Sequence, residues 1–82
     1  MLKLILFGAD TCVPCSAAKT ALEGVEYEYF DICRRPDLVM RYSLRSIPTL
    51  IAIDDEGNAI KQLVGRITRD AALLLVAQGD KT

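Results

Sequence analysis

The stretch from Leu2 to Phe7, LKLILF, sets the first limit on the fold. A nearly continuous apolar run of this length reads as a strand covered on both faces, and that pattern belongs to a sheet flanked by helices. Gly8 to Thr11 break the run as a loop. Pro14 then stands where a first-turn proline is tolerated, because that N–H has no helical partner. Ala17, Ala18, Lys19, Ala21 and Leu22 continue a helix until Gly24 stops it. In VEYEYFDI, Val25, Tyr27 and Tyr29 alternate with Glu26 and Glu28, the period of a second strand.

Pro36 and Asp37 open a second helix that runs to about Tyr42. Thr49 to Ile53 form a third strand directly after Pro48. Asp54 to Asn58 are a turn cluster, and Ala59 to Val64 return as the other half of a hairpin that Gly65 ends. Thr68 is positioned to cap a last helix, Arg69 to Gln78, with Leu73, Leu74 and Val76 as its buried side and Gly79 as its stop. The order is βαβ, α, ββ, α. The crossover helix makes the first two strands parallel. The predicted fold is α/β, a four-stranded mixed sheet with three helices on its two faces, in a single domain spanning residues 1–82.

Composition narrows the chemistry. The 82 residues are 51% hydrophobic, which suits a compact core and argues against disorder. Ten basic and eleven acidic residues give a net charge of −1, so no electrostatic case exists for nucleic acid or an anionic membrane. Arg34, Arg35, Arg41 and Arg45 form a local basic stretch that Asp31 and Asp37 interrupt, as on a solvated helix face. No run approaches the roughly 18 apolar residues of a membrane span, and MLKLILFGAD reads as a core strand, not a signal peptide. The chain contains no histidine, which removes imidazole ligands and His-activated nucleophiles. Its three cysteines are an odd count and a poor disulfide framework for a secreted protein, so a reducing cytoplasm is expected.

Cys12 and Cys15, in TCVPC, carry the chemical interest. Cys12 is predicted at the start of the first helix, with Cys15 one turn on. The helix end favours an anion there, so the Cys12 thiolate is stabilised, while two intervening residues let Cys15 reach back to resolve a mixed disulfide. Pro14 stiffens the loop. Asp10 opposes this by raising the thiol pKa if it comes close. Two other readings stand beside the redox couple. Both cysteines are small enough to be core hydrophobes, though a helix start is a poor place for that. A metal site would combine Cys12, Cys15 and Cys33, but structural zinc needs four ligands and no fourth is present; a cluster shared between two subunits is the form it would take.

From Val25 onward the chain resembles the second half of a thioredoxin. YFDICRRPDLVMRYSLRSIPTLIAIDDEGNAIKQLVG holds the family's strand, its proline-started helix ending near a Tyr, Ser46-Ile47-Pro48-Thr49-Leu50, a charged turn with Gly57 and a strand ending in Val64-Gly65. With TCVPC ahead of it, the resemblance covers nearly the whole chain. It implies a thiol–disulfide oxidoreductase without cofactor or metal, in which Cys12 is the nucleophile and Cys15 the resolving thiol. It also implies that Ile47–Pro48 is a cis bond packed against the pair, with the Ile47 backbone pairing to extended substrate. Thr11, Val13 and Pro14 complete the expected substrate-binding loop. The implied partners are disulfide-containing proteins such as a ribonucleotide reductase, and a flavin-dependent thioredoxin reductase as reductant. The expected form is a cytoplasmic monomer.

The departures matter as much. The chain opens at the first core strand, a glutaredoxin-like length, while the proline as second residue between the cysteines is thioredoxin-like. Thr11 replaces the usual Trp and Val13 the usual Gly. The family's buried acidic residue, six positions before the first cysteine, is here Leu6, and the Lys that partners it is Tyr29. Proton transfer at Cys15 then falls to water or substrate, or resolution is slower. VGRITRD lacks the second Gly of a glutaredoxin's glutathione-binding segment, though Asp70 is retained. The resulting expectation is thioredoxin-like specificity on a glutaredoxin-sized frame, with a glutathione-dependent glutaredoxin or a non-catalytic thiol or metal-binding module as alternatives. Cys33, at the end of the second strand, is read as a structural or incidental thiol, with regulatory oxidation or dimer formation as the alternatives.

Overall fold

A computed structural model describes residues 2–79 of the chain. Four strands, β1 (Lys3–Gly8), β2 (Glu28–Asp31), β3 (Thr49–Ile53) and β4 (Ala59–Val64), form one sheet in the order β2-β1-β3-β4. The helices are α1 (Val13–Ala21), α2 (Pro36–Arg41) and α3 (Arg69–Gly79). β1 runs parallel to β2 and antiparallel to β3, and β3 is antiparallel to β4. The mixed sheet predicted from the sequence is therefore the sheet observed.

Its two faces hold separate cores. Leu4, Leu6, Leu50 and Ala52 pack with Ala18 and Leu22 from the α1 segment and with Ala72 and Leu75 of α3. On the opposite face Ile5, Phe7, Ile51 and Ile53 meet Leu38 of α2 with Phe30 and Tyr42. The two central strands β1 and β3 alternate their side chains into both cores, which explains their unbroken apolar runs. The edge strands β2 and β4 are covered less and carry the charged residues.

Several expected boundaries move. β1 begins and ends one residue later than Leu2–Phe7, because Gly8 still pairs with Asp31. β2 is confined to Glu28–Asp31, since its first partner on β1 is Ile5 and the preceding residues find no ladder. Val25 and Tyr27 nevertheless pack against the α1 and α3 core, on the inner face that the alternation predicts. α2 ends at Arg41 with Tyr42 as its C-cap. Thr68 caps α3 as expected, its Oγ1 accepting the Ala71 N–H at 3.1 Å.

The buried side of α3 differs from the expected one. Leu73 and Leu74, predicted to be buried, are 47% and 63% exposed. Helical spacing turns Ala72, Leu75 and Val76 to the sheet instead, a stripe that leaves Leu73 and Leu74 on the outer side of the helix.

The hairpin turn is fastened at two points. The Asp54 carboxylate accepts the backbone N–H groups of Glu56 and Asn58, both at 2.9 Å. Those bonds hold its pKa below the ordinary aspartate range. From the C-cap of α2, the Tyr42 hydroxyl donates to the Gly57 carbonyl at 3.0 Å. Gly57 itself has φ of 84°, a conformation that other residues adopt only with strain.

Leu50 is 0% exposed at the centre of the sheet, between β1 and β4. Leu50→Ala is expected to lower unfolding stability by about 2–5 kcal/mol through lost burial and a residual cavity, measured by denaturant titration of the oxidised protein.

Candidate functional site

The sequence places two cysteines at the junction of β1 and α1, and the fold closes that junction tightly. Cys12 is the N-cap residue of α1, with extended φ and ψ of −89° and 112°. Its backbone N–H donates to the Ala9 carbonyl at 3.1 Å, which draws the loop back on itself. Its Sγ accepts the Cys15 backbone N–H at 3.2 Å. This is the role a Ser or Asp plays at other helix starts, here performed by sulfur. Pro14 lies in the first turn, where no intrahelical N–H is lost.

Cys12 and Cys15 are joined as a disulfide with their Cα atoms 5.2 Å apart. The two sulfurs differ in access. Cys15 is 1% exposed, whereas Cys12 is partly exposed and borders Thr11, Val13 and Pro14, all of them at the surface. Val13 is 79% exposed, so the loop presents an apolar residue to solvent beside the accessible sulfur.

Cys15 fits against the sheet because Gly8 has no side chain. A Cβ on Gly8 would stand 3.0 Å from Cys15 Sγ, 3.1 Å from Cys15 Cβ and 3.2 Å from Tyr29 Cε1. The helix thus approaches the end of β1 to within the width of a methyl group. Beneath it, Leu6 is 0% exposed and pairs with Tyr29 on one side and Leu50 on the other. The place where the sequence resemblance implies a buried acid is therefore filled by hydrocarbon.

Ile47 and Pro48 arrive at the same end of the sheet. Thr49 pairs with Phe7, so the antiparallel register brings Pro48 level with Gly8. The Ile47–Pro48 peptide is cis. Pro48 is fully buried, and its carbonyl accepts the Gly65 N–H at 2.9 Å. Thr49 Oγ1 donates to the Ser46 carbonyl at 2.7 Å, tying the preceding loop to the strand.

Cys33 is exposed beyond the end of β2, its N–H bonded to Asp31 Oδ1 at 2.8 Å. It does not join the pair, and among the described residues no three Cys, Asp or Glu side chains are gathered as metal ligands. Asp10 is exposed. Sequence reasoning treats Gly8 only as a loop start and Tyr29 only as a strand position and a replacement for Lys. A glycine directly after a buried strand, four residues before Cys12, is the available signal for the close helix approach.

The chain is similar to thioredoxin of Chlamydia trachomatis, with 33% identity over 94% of this chain and 81% of that one. It is also 30% identical to thioredoxin C-2 of Corynebacterium nephridii, over 92% of this chain and 76% of the relative. Among solved structures, a single-site mutant of a thioredoxin from Halobacterium salinarum superposes with a TM-score of 0.84 at 26% identity, covering 94% of this chain and 73% of that one. No family model matches the chain.

Gly8→Ala must displace Cys15 or Tyr29 by a few tenths of an ångström. It is expected to cost about 1–3 kcal/mol of stability in the oxidised protein through overpacking, read by chemical denaturation.

Proposed function

The chain belongs to the thioredoxin family and is a thiol–disulfide oxidoreductase, and from that footing we propose that it reduces protein disulfides with thioredoxin-like specificity through Cys12 and Cys15. The observation that carries the assignment of roles is the unequal access of the two sulfurs. Cys12 is reachable and sits at a helix N-terminus, where free N–H groups and the helix dipole favour a thiolate. Cys15 is buried directly behind it.

In the forward direction the Cys12 thiolate attacks one sulfur of the substrate disulfide, and the other sulfur leaves with the electron pair and is protonated. Cys15 loses its proton and attacks Cys12 Sγ, and the second substrate thiol departs. The substrate gains two electrons and the protein keeps the Cys12–Cys15 disulfide. Thr11, Val13 and Pro14 line one side of the approach. Ile47 and Pro48 supply the other, with the Ile47 backbone pairing to an extended substrate segment.

Re-reduction is assigned to a flavin-dependent thioredoxin reductase, and a ribonucleotide reductase is a substrate of the expected kind. The protein is taken to act as a cytoplasmic monomer; no helix among the described residues is long and apolar enough to cross a membrane. The thioredoxin names of the relatives favour this reductant over glutathione.

Two measurements test the reading. Cys12→Ser is expected to abolish reduction of a protein disulfide, while Cys15→Ser accumulates a covalent mixed disulfide with the substrate; full activity in Cys12→Ser would sink the mechanism. Equilibration in glutathione redox buffers, read by thiol trapping and mass spectrometry, should give one two-electron transition near the thioredoxin potential of about −270 mV. A transition closer to about −200 mV with a glutathione adduct on Cys12 would replace the reductant with glutathione.

A further inference from the structure

Among the described residues, the Tyr29 hydroxyl is the one buried side-chain polar atom without a hydrogen-bond partner. Such a group costs its full desolvation unless something satisfies it. Tyr29 lies on the inner face of β2, level with Leu6 and packed against the core beneath α1. Lys19 reaches its ring from α1, and Cys15, one helical turn earlier, shares Gly8 with it as a neighbour. Lys19 Nζ stands 3.7 Å from the centre of its ring. Cys15 Sγ and Tyr29 Cε1 lie 3.0 and 3.2 Å from the one point where a side chain on Gly8 would begin. Cε1 is bonded to the carbon that bears the hydroxyl, so the phenol end of the ring and the resolving sulfur flank the same point beside Gly8, and in the disulfide form no hydrogen bond joins them.

In the disulfide, Cys15 Sγ carries no charge and needs no donor. Once that bond is open, Cys15 is a buried thiol above Leu6, and any negative charge on it has lost water without gaining a carboxylate, lysine or histidine relay beneath it. We infer that the Tyr29 hydroxyl donates a hydrogen bond to the Cys15 thiolate and so sets the rate of the resolving step. The inference rests on the reading of Cys12 and Cys15 as the working pair. It gives the buried phenol a partner in the one redox state where a partner is needed.

The phenol keeps its proton throughout. Burial pushes its pKa above the ordinary tyrosine value, and Asp31, Asp10 and Tyr27 push in the same direction. Lys19 is the cation that faces it, from α1. Tyr29 is therefore a donor and not the base. In resolution the Cys15 proton passes to solvent, the thiolate attacks Cys12 Sγ, the bond from Cys12 to the substrate sulfur breaks, and that sulfur leaves with the electron pair and is protonated by water.

Tyr29→Phe keeps the ring and its contact with Lys19 and deletes only an unpartnered oxygen, so the fold is retained. The pKa of Cys15 is to be read from its alkylation rate against pH in a Cys12→Ser, Cys33→Ser background, with and without Tyr29→Phe. Loss of a charge-assisted hydrogen bond should raise it by about one unit. Resolution is then followed in the chain with both cysteines, as release of a chromogenic thiol from a mixed disulfide on Cys12. A roughly tenfold smaller thiolate fraction is partly offset by an about threefold more nucleophilic thiolate. Tyr29→Phe should thus resolve about threefold more slowly at neutral pH and about threefold faster above both pKa values. The two pH profiles cross. A packing defect would slow the step at every pH, so parallel profiles or an unmoved Cys15 pKa would overturn the inference. Activity surviving in Cys12→Ser would instead remove the working pair, while the Cys15 titration still reports on Tyr29.

Discussion

The contact between α1 and the bare end of β1 at Gly8 organises this molecule. It buries Cys15, leaves Cys12 at the rim, and fixes where the first helix begins. A helix start is also where backbone N–H groups have no partner, so the contact that completes the core delivers the electrostatic site as well. Cys12 serves both purposes at once. Its sulfur caps the helix by accepting the Cys15 N–H, and the same donor is aimed at the atom that must bear charge when the disulfide opens. Packing and chemistry here share one set of atoms.

The sheet's register alone positions the segment proposed as the other half of the site. Because β3 pairs with β1 through Phe7 and Thr49, the residues just before β3 must arrive beside Gly8. Ile47 and Pro48 are therefore placed by backbone hydrogen bonds far from the cysteines in sequence. The Thr49 hydroxyl and the Gly65 N–H fasten that loop to the strands on either side of it.

Much of this was legible in the sequence, and the reasons are local. β3 and β4 have the bounds read from the amino acids, since Pro48, the Asp54–Asn58 cluster and Gly65 punctuate them sharply. The cysteine pair lies at the predicted helix start because Pro14 and the preceding loop admit few alternatives. What the sequence hid depends on partners. The length of β2 is set by where β1 stops pairing, and the orientation of α3 by which neighbours make room for Leu75 in place of Leu73 and Leu74. The close approach at Gly8 was only hinted at for the same reason: a glycine announces freedom, and only the facing Cys15 turns that freedom into a requirement.

Leu6 and Tyr29 show how a small chain can trade stability against proton management. A domain of this size is stable by only about 4–12 kcal/mol. A buried carboxylate costs several kcal/mol unless it is paired, a large share of that total. Leucine at position 6 instead adds apolar burial where β1 meets β3, and it is fully covered by its neighbours. The polar function then has to be met by a group that can be buried without charge. A phenol meets that condition because its neutral form is the form that donates a hydrogen bond, and the surrounding Asp10 and Asp31 reinforce that form. Replacing an ionisable acid by a neutral donor removes a titration from the neutral range, so the resolving thiol itself becomes the group whose ionisation governs the pH response.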